Sequence, residues 1–133
     1  MDSRDLVRRY LDALEQADLP AMTRLFAPGA TVHSPLYGEV PPERFYSDLF
    51  TDTAHARLTE RAIMQGTDRD GRDVVSFFFH FDWRLSDGTD VPFDAVDVAL
   101  LDGTGAITEL YIVYDTAPLR AAFERSSGRV PPR

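Results

Sequence analysis

Alternation in the second half of the chain is the strongest constraint on its fold. From about Leu58 onward apolar residues recur at every second position, the period of a pleated strand. Four strand candidates follow: Leu58 to Gly66, Asp73 to Leu85, Val91 to Leu101 and Ala106 to Thr116. Between them stand Asp70-Gly71, Asp87-Gly88 and Asp102-Gly103, each a hairpin-type turn signal. Strands joined in this way run antiparallel to their neighbours in sequence.

The first half has a different period. Leu6, Val7, Tyr10, Leu11 and Leu14 fall at helical spacing between Ser3 and Ala17, with Asp2 or Ser3 as the N-cap. Asp18 caps a shorter second helix that Pro20 suits in its first turn and Pro28-Gly29 ends. "ATVHSP" reads as a short strand stopped by Pro35. "PPERFYSDLF" reads as a third helix that turns Phe45, Tyr46, Leu49 and Phe50 inward. Helices first and hairpin-connected strands afterwards predict an α+β domain with an antiparallel sheet. Ala117 to Arg125 adds a last helical turn or two. The single domain is expected to span residues 1–125, with 126–133 as a flexible tail.

Composition narrows the chemistry. With 133 residues, 44% of them hydrophobic, the chain encloses one core and no second domain. It has no cysteine, which excludes disulfides and zinc-thiolate sites and suits a reducing cytoplasm. All 14 basic residues are arginine, so lysine-based Schiff-base chemistry is excluded. The net charge of -8 repels nucleic-acid phosphates, and no stretch approaches 18 uninterrupted apolar residues. No nucleic acid or membrane is expected as a partner.

Hairpin turns also fix which side chains share a face. If Asp87-Gly88 is a two-residue turn, Asp82 faces Phe93, His80 faces Ala95 and Phe78 faces Asp97. One sheet face then carries Phe78, His80, Asp82, Arg84, Phe93, Ala95 and Asp97, joined by Leu110, Ile112 and Tyr114 from the last strand. The other carries Phe77, Phe79, Phe81, Trp83, Val96, Val98, Tyr111 and Val113, with Asp94 as its one acid. Two arrangements satisfy this pattern. The mixed face is exposed while the apolar face meets the helices, or the mixed face lines a pocket under the helices while the apolar face meets another subunit.

"RRYLDALEQADLPAMTRLFAPGATVHSP", "FYSDLF" and "FDAVDVALLDGTGAITELYIVYDTAP" together resemble the nuclear transport factor 2-like superfamily, in its SnoaL-like polyketide cyclase and ketosteroid isomerase branch. The resemblance implies a ketosteroid isomerase-like, cystatin-like α+β fold, a cone-shaped curved sheet wrapped around N-terminal helices. It selects the second arrangement, with a homodimer through Phe77, Phe79, Phe81, Trp83, Val96 and Tyr111. It implies a pocket for a small apolar organic ligand, with no cofactor. Tyr10 and Asp97 match the tyrosine and neutral aspartic acid of the isomerase oxyanion hole, and Tyr46 matches a supporting tyrosine. Where those enzymes carry a carboxylate base, this chain has Ser34, too weakly basic to take a proton from carbon. That departure argues against steroid isomerisation.

His80 supplies a group that exchanges protons near neutrality, and Asp82 shares its face. The expected catalytic set is therefore His80, Asp82, Asp97 and Tyr10, with Ser34, Tyr46, Phe78, Phe93, Ile112 and Tyr114 contacting substrate. Isomerase, cyclase or dehydratase chemistry on an apolar carbonyl compound would follow; the alternative is a non-catalytic ligand-binding or association module. A metal is not expected, because His33 and His55 offer no third ligand to His80 and Asp82.

Overall fold

The computed structural model describes residues 2–132. Helix α1, Ser3–Gln16, begins where the Asp2 side chain accepts from the Arg4 N–H, and ends at Ala17, whose backbone is left-handed. Asp18 caps α2, Leu19–Thr23, through the Ala21 N–H. Strand β1 (Phe26–Ser34) and the short β2 (Gly38–Val40) lead into α3 (Pro42–Thr51). Then come β3 (Thr53–Thr67), β4 (Asp73–Leu85), β5 (Phe93–Leu101), β6 (Ile107–Val113) and α4 (Arg120–Ser127). One curved sheet has the order β2-β1-β6-β5-β4-β3, and the helices pack on its inner face. No described helix is long and apolar enough to cross a membrane.

The sheet is antiparallel except where β1 runs parallel to β6. β1 enters from the helices, so no hairpin dictates its direction. It also begins at Phe26, and Pro28-Gly29, expected to end α2, falls in a register irregularity between Phe26 and Thr31. Proline is tolerated at such a break in the ladder. β3 starts at Thr53, five positions before the alternation becomes visible, because this edge strand is largely exposed and its sequence carries no strict period.

All three β3 to β6 hairpins share one device, which at Asp87-Gly88 differs from the expected two-residue turn. The N–H of Gly88 donates to the Leu85 carbonyl (2.9 Å), and the N–H of Leu85 donates to the Thr89 carbonyl (2.8 Å). The same pairs recur at Gly71 with Asp68 and Arg72, and at Gly105 with Asp102 and Ala106. Each loop therefore has three residues, the last a glycine at φ 82°, 92° or 86° in chain order. Such loops are a turn followed by a left-handed residue that only glycine adopts freely. Asp68 and Asp102 brace theirs by accepting two backbone N–H groups each.

The extra loop residue moves β4 by one position against β5. Phe81 pairs with Phe93, Phe79 with Ala95 and Phe77 with Asp97. A one-residue slip sends every side chain to the opposite face. Phe77, Phe79, Phe81 and Trp83 are consequently buried against the helices, none more than 4% exposed, which removes them from the expected subunit interface. Phe78, His80, Asp82 and Arg84 face outward. The apolar face meets the helices, the reverse of the arrangement that the family resemblance selected. Between β5 and β6, "DGTG" read as a four-residue loop would set Leu101 opposite Ala106 and Leu110 opposite Asp97. The register slips from this twice, once at the three-residue loop and once between Leu100 and Leu101, so parity is restored. Asp97 pairs with Ile112 instead of Leu110, and Ile112 still points inward.

Gly103 and Gly105 share a loop, but only Gly105 has a left-handed backbone, and a Cβ at either would meet nothing within 4 Å. Gly105→Ala should cost about 1–2 kcal/mol of stability, whereas Gly103→Ala should be neutral or slightly stabilising. Urea denaturation of both variants separates backbone strain from crowding.

Candidate functional site

The inner sheet face and the helices enclose a cavity of about 30 Å3. Tyr10 and Leu14 from α1, Phe45 and Leu49 from α3, and Phe79, Phe81 and Trp83 from β4 form most of its wall. Phe93, Ala95, Asp97, Ile112, Tyr114, Ser34 and Tyr37 complete it. A water molecule needs about 10–15 Å3 of such space, so the partly open cavity has room for one or two. A larger ligand has to displace aromatic side chains.

Asp97 is the one acid in this wall. It is 1% exposed, and its Oδ1 has no hydrogen-bond partner among the described residues. Burial pushes its pKa up to about 8, with the adjacent Tyr10 hydroxyl pulling in the other direction. Asp97 is therefore a carboxylic acid at neutral pH. Tyr46 donates its hydroxyl proton to the Tyr10 oxygen at 2.7 Å, and burial raises both phenols well above their ordinary value. Tyr46 is thus committed to Tyr10. Tyr10 and Asp97 hold two further protons, and a hydrogen bond between them uses only one. At least one proton is left for a pocket oxygen.

Ser34 and Tyr37 form the opposite wall. The Ser34 Oγ accepts from the N–H groups of Leu36 (3.2 Å) and Tyr37 (3.1 Å), fixing the bend between β1 and β2. Tyr37 donates its hydroxyl to Asp52 Oδ2 at 2.7 Å, and the Arg129 Nε donates to the same oxygen at 2.7 Å. The Arg129 guanidinium also lies over the Tyr37 ring. Phe123 of α4 is fully buried against Tyr37 and Trp83. The segment read as a tail therefore contributes a half-buried ion pair beside the pocket, with Asp52 buried and Arg129 partly exposed. Asp52, Arg129 and Tyr37 were not among the expected site residues, since neither spacing nor composition links positions 77 residues apart.

His80 and Asp82 lie on the other side of the sheet. His80 Nδ1 is 2.8 Å from Asp94 Oδ1 and its Nε2 is 3.1 Å from Asp82 Oδ1. The hydrogen bond with Asp94, more than that with Asp82, raises the His80 pKa. Phe78 lies beneath the Arg61 guanidinium on the same outer face, and Arg84 pairs with Asp90. The structure thus gathers Tyr10, Asp97, Ser34, Phe93, Ile112 and Tyr114 around one cavity, with Tyr46 behind Tyr10, and separates His80, Asp82 and Phe78 from it. The physical reason is the three-residue loop at Gly88. Among the described residues no group of three or more His, Asp or Glu is placed to hold a metal ion.

The profile described as a SnoaL-like domain matches residues 7–110. No curated protein sequence matches the chain. Among solved structures, an NTF2-like protein of unknown function from Cytophaga hutchinsonii is 21% identical with a TM-score of 0.68, covering 90% of this chain and 95% of its own. The epoxide hydrolase/cyclase-like enzyme SalBIII, of pyran ring formation in the polyether salinomycin, is 18% identical with a TM-score of 0.68, covering 85% and 90%. A candidate polyketide cyclase from Pseudomonas putida KT2440 is 18% identical with a TM-score of 0.60, covering 86% and 92%. These likenesses show the nuclear transport factor 2-like, cystatin-like fold.

The raised Asp97 pKa has a stability consequence. The folded protein keeps this proton up to about pH 8, while the unfolded chain releases it near the usual value of about 4. Stability from this group is therefore full below pH 4 and falls as pH rises towards 8, by on the order of 5 kcal/mol in total. Asp97→Asn, which cannot ionise, should gain stability relative to the natural protein between pH 5 and pH 8. Denaturation midpoints that follow pH in parallel for the two proteins would contradict a buried neutral Asp97.

Proposed function

The chain belongs to the SnoaL-like domain family, and we propose that it is a cofactor-independent acid catalyst acting on an apolar small molecule. Of the isomerase, cyclase and dehydratase types, cyclisation suits its groups best. The carrying observation is a buried, proton-bearing Asp97 beside Tyr10 in an aromatic pocket that holds no protein base. Abstraction of a proton from carbon needs such a base. Ring closure does not, because the substrate brings its own nucleophile.

In this reading Asp97 or Tyr10 donates to a carbonyl or epoxide oxygen and draws electrons from the carbon attached to it. A hydroxyl of the same molecule attacks that carbon. The proton released by the attacking hydroxyl returns to the acid, so the enzyme ends as it began. Low polarity around the pair strengthens the donated hydrogen bond where negative charge develops. Two structural neighbours, the SalBIII enzyme of pyran ring formation and the candidate polyketide cyclase, support a cyclase over the other types.

The narrowness of the cavity favours one second reading, a binding module in which the same donors hold a ligand that is never converted. Ring closure of aryl-substituted hydroxy-epoxides, followed by chromatography of the isomeric products, distinguishes the two. Removing a donor of this kind costs roughly 100- to 1,000-fold in turnover. Asp97→Asn should show that loss, whereas His80→Gln should react as the natural protein does. Full turnover in Asp97→Asn would remove the acid mechanism.

Association is a separate part of the proposal. Met64, Tyr111 and Val113 are 45%, 38% and 58% exposed, and with Phe78 and Val96 they give the outer sheet face an apolar centre. Exposed apolar surface of this kind suits contact with a second copy of the chain. Only Val96 and Tyr111 of the expected interface residues lie there. Native mass spectrometry should give a dimer for the natural protein and a folded monomer for Val113→Glu.

A further inference from the structure

We infer that Ser34 is a second reading point of the pocket, a hydrogen-bond donor that selects neutral ligands carrying an acceptor oxygen at each end of an apolar body. The inference rests on the small-molecule reading above and adds the class of molecule.

A serine hydroxyl has one proton to give and two lone pairs to accept with. Both lone pairs of Ser34 are occupied by the N–H groups of Leu36 and Tyr37. Its own proton makes no hydrogen bond to any described residue, and the side chain lines the cavity. An unused donor in a largely apolar enclosure is stabilised by an acceptor placed against it. Ser34 cannot return the favour to a ligand donor, because it has no lone pair left.

The sheet sets the distance between this donor and the acid. Ser34 follows His33, which pairs with Tyr111, so Ser34 stands beside Ile112. Ile112 pairs with Asp97. The three residues form a row across β1, β6 and β5, with an apolar side chain between two donors. Neighbouring strands lie about 4.8 Å apart, so the outer two backbones are separated by roughly 10 Å. After the reach of both side chains, this span matches a body of one or two rings, which enters by displacing aromatic side chains of the wall.

Charge restricts the ligand further. With Asp97 protonated, no side chain lining the cavity is charged at neutral pH. A carboxylate or ammonium would lose its hydration there without gaining a counter-charge. The ligand class is therefore neutral, with one oxygen at the Tyr10 and Asp97 end and another at Ser34.

The test compares 6-methoxy-1-tetralone with 6-ethyl-1-tetralone, which share a ketone and nearly the same size, and differ in the second acceptor. Calorimetric titration of the natural protein should show about fivefold tighter binding of the methoxy compound, the worth of one ordinary hydrogen bond. Ser34→Ala should bind both equally, with the ethyl compound unaffected. Ser34→Thr retains a hydroxyl and should retain the preference, which keeps the test decisive if the alanine variant loses the bend after β1. Equal binding of the two ketones by the natural protein, or a preference that survives in Ser34→Ala, would overturn the role of Ser34 and leave the acid site standing. Failure of both ketones to bind would overturn the pocket reading and this inference with it.

Discussion

The left-handed backbone at Gly88 decides what this molecule presents to its interior. A loop of three residues at this point brings Phe81 opposite Phe93 and Phe77 opposite Asp97. With a two-residue loop, His80, Asp82 and Arg84 would face the helices and the phenylalanines would face water. The energetic gap between these alternatives is large, because each buried aromatic side chain contributes about 1.5–3 kcal/mol through burial. The glycine and the hydrophobic pattern agree on one register, and that agreement is what makes the sheet unique.

Asp97 is the cost carried inside that register. It occupies a position between Ala95 and Ala99 on the inner face, where every other β5 neighbour favours an apolar side chain. Its proton offsets part of the cost by removing the charge, and the Tyr46 to Tyr10 hydrogen bond arranges the polar groups beside it. An alanine at position 97 would pack there without any such arrangement. A buried acid with an unpartnered oxygen in an apolar enclosure is the kind of local inconsistency that fold stability alone does not explain.

Much of the architecture was legible because it follows from local periodicity. The helical spacing of Leu6, Tyr10 and Leu14, the cap at Asp18 and the full extent of β4 all appear in the sequence at the right places. Tyr10, Asp97, Ser34 and Tyr46 were singled out by the family resemblance, and the fold brings Tyr10, Asp97 and Ser34 to one cavity with Tyr46 behind Tyr10. The facing of β4 was not, because "SDG" is compatible with two loop lengths and a single residue separates opposite conclusions. His80 looked catalytic for the same reason. Its actual neighbours, Asp82 and Asp94, satisfy both ring nitrogens on the outer face. The parallel pairing of β1 with β6 and the bond between Asp52 and Arg129 depend on distant chain segments, which no local pattern encodes.

The C-terminal segment links stability to access. Phe123 packs against Trp83 and Tyr37, and Trp83 in turn donates to Thr53 at the start of β3. Arg129 and Tyr37 share one oxygen of Asp52, so the orientation of a pocket-lining ring depends on an ion pair formed after the last helix. Asp52 is 5% exposed and would be left as a poorly solvated charge if Arg129 moved away. The pocket wall is therefore held by electrostatics at its rim and by aromatic packing behind it. In the proposed reading, a ligand that enters exchanges aromatic contacts within the wall for contacts with itself, which rewards a flat apolar body and leaves Asp97 and Ser34 to orient it.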